Sequence, residues 1–399
     1  MNFVSICLHC LDMRDFNSSL RKTPFLDKLR NQSIFIPMGR GQGHNQFDSI
    51  TAEITGMSPP RLTNSVLLED EFQNASKHVM PEMIHETLEK ENYGICTHYS
   101  TAAFDTPMEE LWLKNDPDKE KRIAYKAMPR RLKPEPFIEY VRELKKPFYA
   151  HIFLRDTHRP WGQAEELLDL MQIENKNFNG LIAAARRASL EKKEEFIKIR
   201  LKGLENADKT VKLIYESLSD IEDTVFVVYS NHGEVFDHYQ GLLPFNYNSS
   251  GFPYGTTHGP SLGYECLYAN MQMWVIPGYG ARVMSGIGLG LDYAPTIRDL
   301  AGLPHEHLDG NSMLPYFKEG RFPKRTRWAE GMGCVTVVNK DNMKMLATSG
   351  GPHGKMVVFD LNRDPWEYHN IKDTPEGKDL IKWAVEAHKK MKLPEILEN

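Results

Sequence analysis

Residues 2–8 (NFVSICL) are apolar almost throughout, the pattern of a strand buried on both faces. Residues 148–154 (FYAHIFL) and 224–229 (TVFVVY) share it and predict two more buried strands. Thr23 and Pro24 supply an N-cap and a first-turn proline for a helix beginning FLDKLR. Within residues 195–218, Ile197, Leu201, Leu204, Ala207, Val211, Ile214 and Leu218 recur at spacings of three and four, one stripe along a long helix. Long helices feeding buried strands predict an α/β layered fold with a mostly parallel sheet. From about residue 316 the texture changes to short strand-like pieces (RTRWAEG, CVTVVNK, MKMLATS, MVVFDL) separated by turn residues, with a helix at 376–391. The expected division is a main α/β domain over 1–315 and a small C-terminal α+β subdomain with an antiparallel sheet over 316–399.

Composition narrows the function classes. The 399 residues are 41% hydrophobic and 26% charged with a net charge of -5, ordinary for a soluble globular protein and unlike one built to grip a nucleic-acid backbone. No apolar run reaches the roughly 18 residues needed to span a membrane. The apolar first twelve residues lack a basic leader and a small-residue cleavage site, so no signal peptide is expected. The five cysteines are scattered; Cys7 and Cys10 form a C-x-x-C, but inside a strand pattern. Reduced, buried thiols and a cytoplasmic location are the expectation.

An open α/β sheet binds ligands at the carboxyl ends of its strands. Those ends are chemically rich here. His9, Cys10 and Asp12 follow the first strand, Arg155, Asp156, His158 and Arg159 the second, and Asn231, His232 and Glu234 the third. A glycine-punctuated loop, GRGQGHNQFDS, carries His44 and opens a helix whose first N–H groups face an anion. A further loop, YGTTHGPS, carries His258. Singly, a strand-end histidine is more often hydrogen-bonded structure and a glycine-rich loop only a turn. Convergence of several such segments on one sheet edge points instead to a shared site.

Seven segments in order then match a family: TPFLDKL, Thr55-Gly56, DTHRPW, DTVFVVYSNHGE, THGPSLGYECLYANMQMWVIPG, LDYAPTIRDLAGLPHEHLDGNSMLPYFKEG and VVFDLNRDPWEYHNI. In them the chain resembles the sulfatases of the alkaline phosphatase superfamily along nearly its whole length. The resemblance implies a sulfatase-like α/β sandwich. It also implies a metal-dependent hydrolase or transferase acting on a small anionic sulfate or phosphate ester or a phosphonate. His158 and His258 would hold the ester group or leaving oxygen, and Asn231 and His232 would face the metal.

The chain departs from that pattern where the chemistry is hardest. The family's nucleophile, ten residues before the glycine of Thr-Gly, falls on Gln46, and its arginine falls on Ile50. No cysteine lies between Cys10 and Cys96, so no formylglycine can form. His9 and Cys10 stand where the family has two aspartates, Asp12 is the nearest carboxylate, and Asn231 replaces the aspartate of the metal loop. Fewer anionic oxygens disfavour calcium, so zinc or another transition ion is expected at His9, Asp12, Asn231 and His232, or no metal at all. His44, two residues before the lost nucleophile, is the favoured base or nucleophile; Ser49 and Thr51 are the other candidates, against their reading as ordinary polar helix residues. No nucleic acid or membrane partner is expected, and a homo-oligomer stays open. Two alternatives stand beside the hydrolase: a binding protein or pseudoenzyme that keeps the anion pocket, and a metal-free acid–base enzyme using His9, His44 and His232. Asp208, Asp364, Glu367 and Asn370 are expected to be helix, turn and capping residues.

Overall fold

The computed structural model describes residues 1–43, 46–58, 82–99, 133–158, 161, 164–173, 184, 188, 191–234, 263–331, 334–348, 355–365 and 367–392. Among them the main sheet comprises β1 (Asn2–Leu8), β2 (Ile34–Arg40), β3 (Gly94–Tyr99), β4 (Phe148–Leu154), β5 (Thr224–Tyr229), β6 (Ala269–Val275), β7 (Arg282–Val283) and β8 (Gly288–Leu289). The order is β3-β4-β1-β5-β6-β2-β7, with β8 also paired to β2. β3, β4, β1 and β5 are mutually parallel, and β6 runs against both its neighbours. The fold is therefore the expected mixed α/β architecture with a mostly parallel sheet.

β1, β4 and β5 are buried along their whole length because helices cover both faces of the sheet. Val4, Ile6 and Leu8 pack with α2 (Pro24–Gln32) and the long helix Lys193–Leu218, through Leu26, Leu29, Leu204, Val211 and Ile214. Phe3 and Cys7 face the other way, toward α3 (Gln46–Thr55) and the helix Tyr293–Leu300. β2 is harder to read from its letters, since Pro37 cannot donate to a ladder. The register slips between Ile36 and Gly39, and this irregularity accommodates the proline. The strand runs on to Arg40, so the first two residues of the glycine-punctuated segment are sheet.

α2 begins at Pro24 as expected, but Thr23 makes no side-chain cap. The cap comes from the middle of the long helix: Asp208 Oδ1 accepts from Leu26 N at 2.7 Å and Oδ2 from Phe25 N at 3.3 Å. A carboxylate at a helix N-terminus also meets the positive end of the helix dipole.

A second, four-stranded antiparallel sheet is formed by β9 (Arg327–Gly331), β10 (Cys334–Val338), β11 (Met343–Thr348) and β12 (Lys355–Asp360). The helix Pro375–Lys392 covers it through Leu380 and Ala384 against Trp328, Val337 and Val358. A buried charge cluster joins this sheet to the main one. Glu265 accepts from Arg40 Nε and Arg327 Nη2, each at 3.0 Å, and lies 3.3 Å from Lys344 Nζ. Glu367 pairs with Lys344 and accepts from Glu265 N at 2.7 Å, so it is a buried partner in an ion cluster and more than a turn residue. Among the described residues no helix is long and apolar enough to cross a membrane.

Asp208→Ala should lower the unfolding free energy by about 1–2 kcal/mol, the usual effect of a lost N-cap, with no change in the denaturant slope. Urea titrations of the two proteins measure this directly.

Candidate active site

β1 lies between β4 and β5, and its parallel register sets Leu8 opposite Leu154 and Cys7 opposite Tyr229. The residues that follow the three strands must then meet at one edge. The His9 ring centroid is 4.6 Å from that of His158 and 5.4 Å from that of His232. All three rings are buried, at 0%, 7% and 0% exposure respectively. Hydrogen bonds carry the alignment past the strand ends. His9 N donates to Leu154 O at 2.9 Å, Thr157 Oγ1 donates to His9 O at 2.8 Å, and Cys10 N donates to Asn231 Oδ1 at 3.0 Å. Cys10 itself has φ 62, a left-handed conformation uncommon outside glycine.

The partners of two rings define their tautomers. His232 Nδ1 lies 2.9 Å from Gly233 O, and a carbonyl can only accept, so Nδ1 carries the proton and Nε2 a lone pair in the neutral ring. His158 Nδ1 lies 2.8 Å from Arg155 Nη2, and a guanidinium can only donate, so here Nδ1 accepts and Nε2 carries the proton. One ring is thus arranged as a base and the other as a neutral donor.

The remaining expected site residues fall differently. Asp12 caps α1 (Met13–Phe16) and receives Arg14 N at 2.8 Å and Arg14 Nε at 2.7 Å, while Arg14 Nη2 bridges its other oxygen to Glu234 O. Burial alone would raise its pKa, but the Arg14 and Arg200 guanidinium groups hold it below the ordinary carboxylate value. Ser49 Oγ donates to Asn231 O at 2.9 Å and lies 3.2 Å from Glu53 Oε1, so its hydroxyl fixes the β5 end from below. Ile50, at the position of the family's arginine, is wholly buried in the apolar cluster beneath the sheet. His44 and His258 lie outside the described residues.

Two of the four side chains expected to hold a divalent ion are engaged within the protein. Asp12 is engaged by Arg14, the one carbonyl oxygen of the Asn231 side chain is engaged by Cys10 N, and Cys10 Sγ lies 3.5 Å from Gly233 O. Among the described residues no group of three or more His, Cys, Asp or Glu side chains is placed to hold a metal ion.

Under the site runs a polar chain absent from the expectation. Ser5 Oγ meets Tyr293 OH, which is 3.0 Å from Tyr149 OH; Tyr149 OH is 3.0 Å from His151 Nδ1, and His151 Nε2 is 3.0 Å from Tyr229 OH. Burial keeps the whole chain uncharged. It pushes the Glu53 carboxyl and the Tyr149 and Tyr229 phenols well up, and the His151 imidazole down to about 3. The signal lay in the letters, a histidine inside FYAHIFL and a serine inside NFVSICL, but only packing shows that they share a face. Gly41 fits here for want of room, since a Cβ would lie 2.4 Å from Asn231 O.

With this geometry in hand, the family model named Sulfatase matches residues 5–303. The chain belongs to the sulfatase family. Several solved structures resemble it in fold. One is BT4656 in complex with its substrate D-glucosamine-2-N,6-O-disulfate, 12% identical with a TM-score of 0.70, covering 98% of each chain. Another is the phosphonate monoester hydrolase of Agrobacterium radiobacter, 13% identical with a TM-score of 0.65, covering 99% of this chain and 97% of that one. A third is an alkaline phosphatase superfamily protein from Vibrio parahaemolyticus, 15% identical with a TM-score of 0.62, covering 98% and 87%. At these identities the likeness is one of fold. No curated protein matches the sequence significantly. Within this sulfatase-family chain, the site residue that sequence reasoning passed over is Thr157, inside the quoted DTHRPW; Arg155 and Cys10 were legible as strand-end residues, but their hydrogen-bond partners were not.

His151 sets a pH dependence of stability. Its folded pKa of about 3 lies below the ordinary 6.5, so between these values the unfolded chain binds a proton that the folded chain does not. Stability contributed at neutral pH is lost as pH falls below 6.5, by up to about 1.4 kcal/mol per unit. His151→Gln, less stable at pH 7 for its broken contacts, should close on the wild type as pH falls from 6.5 to 4. Unfolding free energies across that range check it; a constant gap refutes it.

Proposed function

We propose that this protein hydrolyses a small sulfate or phosphate ester or a phosphonate, or transfers its acyl-like sulfuryl or phosphoryl group, with histidines at the centre of the reaction. The observation that carries the reading is the opposite tautomers of His158 and His232 on either side of His9. Membership of the sulfatase family and the likeness to a phosphonate monoester hydrolase support the class of ester.

In this reading His232 Nε2 takes a proton from an attacking water as its oxygen bonds to sulfur or phosphorus. His158 Nε2–H donates a hydrogen bond to the oxygen on which charge grows, on the ester group or the leaving alkoxide. His158 keeps its proton throughout, because the adjacent Arg155 guanidinium leaves Nδ1 only an acceptor's role and loss of the Nε2 proton would produce an imidazolate. The leaving alkoxide is protonated by the His232 imidazolium, which restores the starting state. His44 and His258 remain candidates for contacts to the same group.

A second reading has its own support. Ile50 is buried in the core and Ser49 is bonded to the β5 end, so neither position supplies the arginine or a poised hydroxyl, as a binding protein with the same pocket would allow.

Turnover of 4-nitrophenyl sulfate, 4-nitrophenyl phosphate and a phenylphosphonate ester separates the two. His232→Ala should lower kcat/KM by about 10²–10⁴. His158→Ala should lower it by about 10²–10³, with partial recovery in His158→Gln, which keeps an N–H donor. Wild-type rates in both alanine variants would overturn the assignment; binding of the esters with no turnover in the wild type would favour the binding protein.

A further inference from the structure

We propose that the β5 end, where the family carries a metal-facing carboxylate, is in this chain a hydrogen-bond donor that receives an oxyanion directly, with the Asn231 amide nitrogen as its central group. This deepens the functional reading above by naming what the site binds and how.

The Asn231 side chain is held at its oxygen. Cys10 N donates to Oδ1 at 3.0 Å, and a flipped amide would set two donors against each other. The main chain of the same residue is held as well, since Asn231 O accepts from Ser49 Oγ at 2.9 Å and from Asn270 Nδ2 at 3.4 Å. The Asn231 amide nitrogen must therefore point away from Cys10 N. It is wholly buried and has no hydrogen-bond partner among the described residues. A buried amide left unsatisfied is costly and uncommon, and an absent ligand is a specific physical reason for one.

The identity of that ligand follows from what an amide can do. An aspartate here would turn a second anionic oxygen outward and attract a cation. Asparagine turns outward two N–H groups, which repel a cation and bind an acceptor. The surroundings agree: the His9, His158 and His232 rings and the Arg155 guanidinium converge on the same strand ends, while the Asp12 carboxylate of this edge is bonded by Arg14. The chemistry that fits is a tetrahedral oxyanion or the equivalent group of an ester. Sulfate and phosphate share that chemistry.

The test is calorimetric titration of EDTA-stripped protein with inorganic sulfate and, separately, with inorganic phosphate, its metal content verified by elemental analysis. The stripped wild type should bind at least one of the two, and added zinc, manganese or calcium should leave the affinity unchanged. Asn231→Asp keeps the acceptor for Cys10 N but loses the outward donors, and its oxyanion affinity should fall at least about tenfold while divalent-ion binding rises. Oxyanion binding that requires a divalent ion in the wild type would overturn the proposal, a comparison that needs no variant to fold. Equal affinity in a folded Asn231→Asp protein would overturn it too. Ester turnover in the same stripped samples keeps the two readings apart. Metal-free oxyanion binding without turnover supports the donor site and removes the hydrolase, whereas turnover and binding that both appear only with added metal remove the donor site and leave the hydrolase.

Discussion

Parallel pairing of β1 with β4 on one side and β5 on the other is the constraint from which the site follows. Neighbouring strands lie about 4.8 Å apart, so residues just past their ends are held on the scale of a single side chain. Side chains then take over the hydrogen bonding that the ladder gives up. Thr157 binds the carbonyl of His9, and Asn231 binds the amide of Cys10.

The same burial has opposite electrostatic results in two parts of the molecule. Beneath the site, Glu53, Tyr149, Tyr229 and His151 have few charged partners, and desolvation keeps them neutral. Between the two sheets, Glu265 is equally buried, but Arg327, Lys344 and Arg40 surround it and hold its carboxyl well below the usual range. Neutral hydrogen bonds thus support the strand ends, and ion pairs fasten the small antiparallel sheet to the large one. Asp12 belongs to the second kind, a carboxylate kept ionised by arginines.

Much of the fold was legible because buried strands and amphipathic helices leave strong local patterns. β1, β4 and β5 match the apolar runs at 2–8, 148–154 and 224–229 residue for residue, and the stripe at 195–218 lies on the helix Lys193–Leu218. β2 was not legible, because a proline and a glycine inside it weaken the local signal and are tolerated only through an irregular register with β6. The cap of α2 was misread for a related reason. Thr23 has the right chemistry in the right place, yet the bond is made by Asp208, which packing alone brings to that helix.

By itself the sequence determined the layered α/β class, the strand ends that carry the chemistry, and the family, along with the loss of its nucleophile and arginine positions. These depend on residue identity and spacing, which the chain states directly. Only the tertiary structure decided which histidines meet, which tautomers His158 and His232 adopt, that Ser49 and Asp12 are engaged by neighbours, and that the Asn231 amide oxygen is bonded by Cys10 N. Each of those outcomes rests on a partner far away in the chain, and a hydrogen bond between residues 10 and 231 leaves no mark on the letters around either one.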